Sequence, residues 1–459
     1  MKRYPAYKDC GVEWIGAVPG HWQVAPLKHH FRILGGSTPK SDIAAYWDGD
    51  ITWVSPADLS QQSSMYIDSS ARTITAAGLE SCGTTVVPPG SIVLSTRAPI
   101  GSLAIARKAL CTNQGCKSLV PDASADSVFF AYALSAATEA LNLRGKGTTF
   151  LELSADELGA FKMPVPEPQE QREVVSFLDR ETAKIDALIA EQEKLIALLA
   201  EKRQATISHA VTRGLDPDVP MKESGVAWSG KVPKHWRRSR LKHIKAPVPN
   251  AFVDGPFGSN LKSEHFVEDG EVFVIESNFA TQGALREEEL KRISFQHFET
   301  VARSEVLEGD IVIAKIGAQF GKASILPRVS RRAVVSGNSL KLTVDRSTSD
   351  ADWIHLQLVN LKACGEIDLL ANGSAQPALS LGNMNCLPVL LPPIEEQRRI
   401  LDFVLSVMNR CNALEGDAAK SIDLLRERRS ALITAAVTGQ IDVRGTAQPD
   451  HASPESTAA

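Results

Sequence analysis

The stretch KDCGVEWIGAVPGHWQVAPLKH, from Lys8 to His29, decides the fold because it occurs twice. It returns as KESGVAWSGKVPKHWRRSRLKH from Lys222 to His243, at a constant offset of 214 residues. We call the two copies the Trp segments. A second match, between residues 147–216 and 373–442, runs without a gap at an offset of 226 residues. Because the sequence between these matches diverges, we predict an internal repeat in which one scaffold carries two different domains.

The second match contains a long helical pattern in each copy. From Pro168 to about His209 the chain has no internal Pro or Gly, and a further helix is expected from Ile394 to about Val437. Apolar residues at heptad spacing predict amphipathic helices that bury each other as an antiparallel pair. The alternative is that each helix packs only on its own neighbouring domain. The expected tracks are Leu178, Ile185, Leu188, Leu195 and Leu199, and then Val404, Cys411, Leu414, Ser421 and Leu425.

Short β-rich runs such as Ile51–Val54 and Val272–Ile275 occupy the diverged parts. We therefore predict an α+β protein with two strand-rich domains mounted on two long antiparallel coiled-coil helices, as a pseudo-twofold internal repeat. The expected division is an N-terminal Trp segment (1–27), a first domain (28–166), a central helix (167–213), a linker with the second Trp segment (214–241), a second domain (242–392), a distal helix (393–437) and a flexible C-terminal tail (438–459).

Composition excludes several classes of protein. With 459 residues, 43% hydrophobic and 23% charged, the chain has the make-up of a folded protein of two or three domains. No apolar run approaches the roughly 18 residues of a membrane span, and no apolar signal core follows Met1, so we expect a cytoplasmic protein without membrane contact. Seven cysteines without a CxxC pair predict reduced thiols. The formal charge of -4 gives no global basic signal, so DNA binding would need a local arrangement of charge.

Motifs of catalysis are missing from the sequence. The stretch Gly317–Ser324 resembles a phosphate loop but has one spacer residue too few, and no GxGxxG, HExxH or GxSxG stands out. We interpret the chain as non-catalytic, with no metal site and no bound cofactor. Residues at the two helix starts are expected to be structural before they are ligands; they are Gln171, Arg172, Gln397 and Arg398.

Several motifs together resemble those of specificity subunits of type I restriction-modification systems. They are the doubled Gly-Val-x-Trp-x-Gly-x-x-Pro-x-His-Trp, GSTPK at Gly36–Lys40, DGPFGSNL at Asp254–Leu261 and LPPIEEQR at Leu391–Arg398. The resemblance covers almost everything from Lys8 to Asp442. One departure is Glu167, which replaces the second Pro at the first helix start.

The resemblance implies a function and a set of partners. Each of two target-recognition domains would read one half of a bipartite asymmetric site in double-stranded DNA. Two modification subunits would methylate adenine with S-adenosylmethionine, and two restriction subunits would translocate and cleave with ATP. S-adenosylmethionine, ATP and Mg²⁺ are therefore expected in the partner subunits and not in this chain.

Two other functions remain open from the residues alone. A coiled-coil scaffold that assembles proteins without binding DNA would suit the helices equally well, but it has no evident need for two dissimilar domains on equivalent mounts. A fused methyltransferase or nuclease would need cofactor motifs, which the sequence lacks.

Base-reading residues are expected where polar or cationic side chains lie in turns or at strand ends of the diverged domains, because their donors suit base edges or phosphates. The alternative is that each is an ordinary turn residue. The predicted residues are Arg97, Lys117, Lys146, Thr148 and Thr149 in the first domain, and Lys315, Asn338, Asn372, Ser374 and Gln376 in the second. Arg203 and Arg429 are expected on exposed helix faces where partners dock.

Overall fold

The structure is a computed structural model that describes residues 2–62, 64–97, 99–146, 151–226, 228–373 and 377–445. The chain forms two compact units. The first comprises Met1–Glu193 with Ala419–Ala459, and the second comprises Lys194–Ala418. Each unit therefore contains one of the diverged domains together with a part of both long helices.

The N-terminal half of the chain alternates short strands and helices before one long helix. The strands are β1 (Tyr7–Asp9), β2 (Ala17–Pro19), β3 (Gln23–Pro26), β4 (Phe31–Gly35), β5 (Trp47–Val54), β6 (Tyr66–Ile67), β7 (Thr73–Ile74), β8 (Ile92–Ser95), β9 (Leu103–Ala106), β10 (Cys111–Thr112), β11 (Cys116–Pro121) and β12 (Lys162–Val165). The helices are α1 (Pro56–Ser60), α2 (Ala76–Glu80), α3 (Ser127–Ala136), α4 (Thr138–Leu143), α5 (Ala155–Gly159) and α6 (Pro168–Arg213).

The C-terminal half follows the same plan. Its strands are β13 (Met221–Glu223), β14 (Lys231–Pro233), β15 (Arg237–Arg240), β16 (Phe252–Asp254), β17 (Val272–Ile275), β18 (Lys291–Ile293), β19 (Glu305–Val306), β20 (Ile311–Ala314), β21 (Ala323–Ile325), β22 (Arg332–Val335), β23 (Ser339–Leu342), β24 (Ala371–Asn372), β25 (Ala378–Leu379) and β26 (Pro388–Leu391). Its helices are α7 (Ser277–Gln282), α8 (Phe295–Val301), α9 (Ala351–Ala363), α10 (Leu381–Cys386) and α11 (Ile394–Val437).

The two domains share the central part of their sheet topology, although their sequences diverge and each has a strand that the other lacks. The first has a sheet of order β4-β11-β8-β9-β6, and the second has β16-β23-β20-β21. Each domain also has a smaller mixed sheet. In the first domain, β5 pairs parallel with β10 and antiparallel with β7. In the second domain, β17 pairs parallel with β22 and antiparallel with β18. The predicted α+β class and internal repeat are thus confirmed.

Each long helix begins by packing on its own domain. In the first unit, Leu178 of α6 belongs to the same core as Phe129 and Phe130 of α3. In the second unit, Ile400 of α11 shares a core with Trp353 of α9. Burying side chains of this size removes apolar surface from water at about 25 cal/mol per Å², which fixes the helix on the domain.

A buried glutamine completes each helix start. Gln171 accepts a hydrogen bond from the amide of Asp126, the N-cap of α3, and donates to Pro166 O, both at 2.9 Å. Gln397 makes the equivalent bonds to the amide of Asp350 and to Pro392 O at the same distances. The prediction that these glutamines are structural is confirmed.

The helices pair antiparallel within each unit. In the first unit, Asp186 of α6 binds Arg429 of α11 at 2.8 Å, and Glu193 lies 3.6 Å from Arg426. In the second unit, Arg203 of α6 forms an ion pair with Glu415 of α11. As residue numbers rise along α6, the residue numbers of the partners on α11 therefore fall. The predicted antiparallel pair is confirmed, and the alternative of helices that pack only on their own domains is excluded.

The expected seam of the helix pair was partly wrong. Leu178, Ile185 and Leu199 are buried, but Leu188 and Leu195 are exposed, as is Leu414 on α11. The seam of α6 runs instead through a heptad register that includes polar side chains, with buried or half-buried residues at Thr182, Ile189, Gln192, Ile196 and Arg203. The heptad spacing chosen from the sequence placed Leu188 and Leu195 in the seam, each one position before a half-buried isoleucine, Ile189 or Ile196.

Arg203 and Arg429 are also placed differently from the expectation. Both form ion pairs across the helix pair and are not free on an outer docking face. The exposed side chains outside the seam include leucines, among them Leu188, Leu195 and Leu414.

The C-terminal segment is not a flexible tail over residues 438–445. Thr438, Asp442 and Val443 are buried, and the amide of Asp442 donates to Lys2 O at 2.9 Å. The segment after α11 therefore contacts the N-terminal end of the chain. No helix in the described part of the chain is long and apolar enough to cross a membrane.

Candidate nucleic-acid interface

Backbone hydrogen bonds gather several loops at one end of the larger sheet of the first domain. The amide of Ser37, after β4, donates to Thr112 O at 3.0 Å. The amide of Thr96, after β8, donates to Gly115 O at 2.8 Å, and Thr96 O accepts from the amide of Leu153 at 2.9 Å. We call this set the loop end of the first domain, comprising residues 36–40, 96–97, 113–115, 146 and 151–153.

The second domain repeats the arrangement. The amide of Gly255, after β16, donates to Ser339 O at 2.9 Å. The amide of Lys315, after β20, donates to Asn338 O at 2.8 Å, and Lys315 O accepts from the amide of Leu379 at 2.9 Å. The loop end of the second domain comprises residues 255–263, 315–316, 336–338, 371–373 and 377–379.

A glycine begins the first loop of each loop end. A Cβ atom at Gly36 would lie 2.0 Å from Asn113 O, and one at Gly255 would lie 1.9 Å from Ser336 O. No side chain fits at such distances, so the backbone of the first loop packs directly on a neighbouring loop. The first loop of each end is therefore held in a fixed place against its neighbour.

Equivalent backbone positions carry different side chains in the two loop ends. Arg97 and Lys146 both pair with Glu152 through isolated bridges, just as Ile316 and Asn372 both pair with Ala378. Base edges are distinguished by different donors, acceptors and apolar groups, so a constant backbone with variable side chains is what two readers of different sequences require. The equivalent pairs are Thr96 and Lys315, Arg97 and Ile316, Gly115 and Asn338, Lys146 and Asn372, and Glu152 and Ala378.

Two predicted residues of the first domain, Arg97 and Lys146, lie on either side of Glu152. The guanidinium of Arg97 binds the Glu152 carboxylate at 3.1 Å, and Lys146 binds Glu157 at 2.6 Å. The hydrogen bond from Lys146 lowers the pKa of Glu157 below its ordinary value. Lys117 lies apart from this pair, on β11 opposite Gly35. The loop end thus presents cations that carboxylates hold in place.

Two predicted residues of the second domain line one cavity. Lys315 binds Asp254 at 3.2 Å, at the end of β16, and Arg303 binds the same carboxylate at 2.5 Å. Lys315 and Asn338 form part of the wall of a cavity of about 600 Å³. Asn372 is exposed on β24.

The other four predicted residues lie outside the described residues. They are Thr148, Thr149, Ser374 and Gln376. Their role in DNA binding stays a prediction, as it does for the other six.

Sequence reasoning did not assign a role to the loop after β16. Its residues from Gly255 to Ser263 form one wall of the same cavity, and Phe257 within it is among the most exposed large apolar side chains. The signal was available in the sequence, because a phenylalanine between two glycines after a strand predicts an exposed turn and not a core position.

Cys116 begins β11 at the first loop end, and burial raises the pKa of its thiol to about 12, so the thiol is protonated and unreactive at neutral pH. Across the described ranges, no group of three or more His, Cys, Asp or Glu side chains is placed to hold a metal ion.

Known proteins resemble this chain over most of its length. The family model of the type I restriction modification DNA specificity domain matches residues 19–197 and 258–423. The MjaIX specificity subunit of a type I restriction enzyme from Methanocaldococcus jannaschii is 25% identical over 443 residues, which cover 94% of this chain and 95% of that protein. The EcoBI specificity subunit from Escherichia coli is 24% identical over 359 residues, covering 76% of this chain and 73% of that protein.

Solved structures share the fold. One, described as the structural basis of complex assembly and conformational transition of the type I R-M system, has a TM-score of 0.65 at 17% identity and covers 92% of this chain and 99% of its own. The HsdS subunit from Thermoanaerobacter tengcongensis has a TM-score of 0.53 at 15% identity, with 92% and 98% covered. Since the family model spans most of the residues, including parts of both domains and of both long helices, the chain belongs to the family of type I restriction modification DNA specificity proteins.

Proposed function

We propose that the chain recognises a bipartite, asymmetric site in double-stranded DNA, with each domain reading one half-site. The observation that carries this proposal is the equivalence of the two loop ends, which share backbone hydrogen bonds but differ in side chains such as Arg97 and Ile316. A bipartite target needs two readers of the same design and different chemistry. An asymmetric target needs their side chains to differ.

The lack of a net positive charge on the chain is compatible with this function. Phosphate neutralisation supplies most non-specific affinity for DNA, and this chain carries a formal charge of -4. We infer that partner subunits supply most of the phosphate contacts, while the loop ends act on the bases. Binding by the assembled complex should therefore be stronger and more salt-dependent than binding by this chain alone.

The proposed partners are two modification subunits and two restriction subunits. In this proposal, S-adenosylmethionine, ATP and Mg²⁺ act in those subunits, and this chain directs them to the target. Support comes from leucines outside the helix seam, since apolar groups left in solvent on a charged helix favour a protein partner. Those in the second unit are Leu195, Leu198, Leu405 and Leu414.

A protein scaffold without DNA contact is the competing function. It would explain the exposed leucines but not two loop ends with a shared backbone and different polar groups. A duplex-binding assay separates the two functions, because a scaffold would show no preference among DNA sequences.

The proposal is tested by producing the chain with its modification partners in a host that lacks other adenine methylation, and by sequencing the methylated positions in single molecules. The expected result is one motif made of two specified blocks of different sequence, separated by unspecified bases. Methylation at a single continuous block, or without any sequence preference, would contradict the proposal.

A further inference from the structure

Phe257 is a large apolar side chain that the fold leaves in water. It is 73% exposed and belongs to the loop end of the second domain. Burying a phenylalanine stabilises a protein by about 1.5–3 kcal/mol. The exposed ring of Phe257 does not contribute this stabilisation. A single exposed apolar residue is common, so its meaning depends on how the loop around it is held and on what surrounds it.

The loop that carries Phe257 is anchored on both sides. Gly255 packs on the backbone of Ser336. On the other side, His297 Nε2 donates to Asn260 O at 2.9 Å, and the amide of Lys262 donates to His265 Nδ1 at 2.9 Å. The phenyl ring is thus held in solvent by a fixed backbone.

Hydrogen-bond donors and one carboxylate, that of Glu276, line the same cavity as the ring. The cavity bordered by Phe257 is also lined by Lys262, Ser263, Lys315 and Asn338. The amine of Lys262 lies 3.7 Å from the carboxylate of Glu264. Because the Lys262 side chain is 54% exposed, it remains accessible to an anion. An apolar ring among cationic and amide donors matches duplex DNA, which offers apolar base surfaces, acceptors on base edges and phosphates.

We propose that Phe257 is an apolar base contact of the second domain and that Lys262, on the same loop, contacts an adjoining phosphate. The ring packs against bases of one half-site, either on a thymine methyl group or between neighbouring bases. This inference rests on the proposed function and adds to it a residue that determines affinity for the half-site.

The test uses the complex of this chain with its modification subunits. Binding to labelled duplexes with the cognate site, with the second domain's half-site scrambled, or with both half-sites scrambled is measured over a series of salt concentrations. Phe257→Ala should weaken cognate binding roughly 5- to 100-fold and leave binding to the fully scrambled duplex and the salt slope unchanged. Lys262→Ala should weaken binding to all three duplexes and reduce the salt slope by about 1.

Two further variants serve as controls. Leu307→Ala removes a side chain that is 56% exposed and precedes β20, at the opposite end of that strand from Lys315, so cognate affinity should not change. Phe257→Leu keeps an apolar group and should retain more affinity than Phe257→Ala.

Three results would overturn the inference. One is unchanged cognate binding by Phe257→Ala. Another is equal weakening of cognate and scrambled binding, and the third is loss of the modification subunits from the complex on size exclusion, which would assign the ring to a protein partner. Since the unaltered complex is measured beside the variants, its failure to prefer the cognate site would reject the proposed function itself.

Discussion

At the scale of residues, two buried glutamines join each domain to its long helix. Gln397 has no exposed surface, and its amide binds Ser349, Asp350 and Pro392. Replacement by alanine deprives the Asp350 amide and the Pro392 carbonyl of this partner, each at a cost of about 1–3 kcal/mol. We expect Gln397→Ala to lower the free energy of unfolding by about 3 kcal/mol or more, as measured by urea denaturation.

The neighbouring Arg398 provides the control for this prediction. Its exposed side chain binds Glu395, one turn earlier in α11, and Arg398→Ala should change stability by less than about 0.5 kcal/mol. Equal effects of the two variants would contradict the structural role of the glutamine.

Asp442 predicts a pH dependence at the same scale. Hydrogen bonds from Arg444 lower the pKa of this carboxyl below its ordinary value. Since the unfolded chain binds the proton more tightly, the stabilisation is complete above about pH 4 and is lost as the pH falls through the folded pKa. Asp442→Asn should cost about 1–2 kcal/mol at pH 7 and progressively less below pH 4, as followed by denaturation across pH. A constant difference between the variant and the original chain down to pH 2 would refute the pairing.

Contacts between residues distant in sequence explain what the sequence could not predict. Arg97 and Lys146 were both selected, but their convergence on Glu152 depends on strands far apart along the chain. Lys315 was selected for its position after a strand, whereas its ion pair with Asp254 requires the packing of β16 beside β20 through β23. Residue type thus predicted candidates, and only the fold shows which of them lie together.

At the scale of elements, the helices were predictable because an uninterrupted pattern without Pro or Gly leaves few alternatives. Their bounds, Pro168–Arg213 and Ile394–Val437, lie within a few residues of the expected ones. The seam was less predictable, because Gln192 and Arg203 occupy positions that hydrophobicity assigns to leucine. Arg203 finds its partner, Glu415, on the facing helix, and a single helix does not reveal such a pair.

The ion pair between Arg203 and Glu415 tests the seam. Arg203→Glu should lower the free energy of unfolding by about 1 kcal/mol, because it places two carboxylates together at a partly exposed site. Adding Glu415→Arg should restore most of the loss by reversing the pair. If the double variant is no more stable than the single one, the two side chains do not face each other.

At the scale of the whole molecule, the duplication was visible at once and the shared topology followed from it. In the diverged domains the sequence predicted individual strands such as Val272–Ile275 but not how they pair, because the pairing joins distant parts of the chain. The constant offset within each repeated segment, 214 residues in one and 226 in the other, therefore carried more information than the composition of either domain.

The length of the helix pair predicts the spacing of the two half-sites in the proposed function. Removing the facing heptads Leu188–Lys194 and Ile422–Arg428 keeps the heptad register and shortens each helix by about 10 Å, equivalent to about three base pairs of DNA. We expect the unspecified spacer of the methylated motif to shorten correspondingly, as read by single-molecule sequencing. An active complex with an unchanged spacer would contradict this role of the helices.

The central claim is that each domain reads its own half-site, and competition binding with half-scrambled duplexes tests it most directly. In the complex with modification subunits, one variant carries Arg97→Ala with Lys146→Ala, and the other carries Asn338→Ala with Asn372→Ala. The account predicts that each variant loses discrimination, by about 1–3 kcal/mol per base contact removed, at one half-site only, and that the two variants affect opposite halves. Loss of discrimination at both halves by either variant, or at the same half by both, would contradict it.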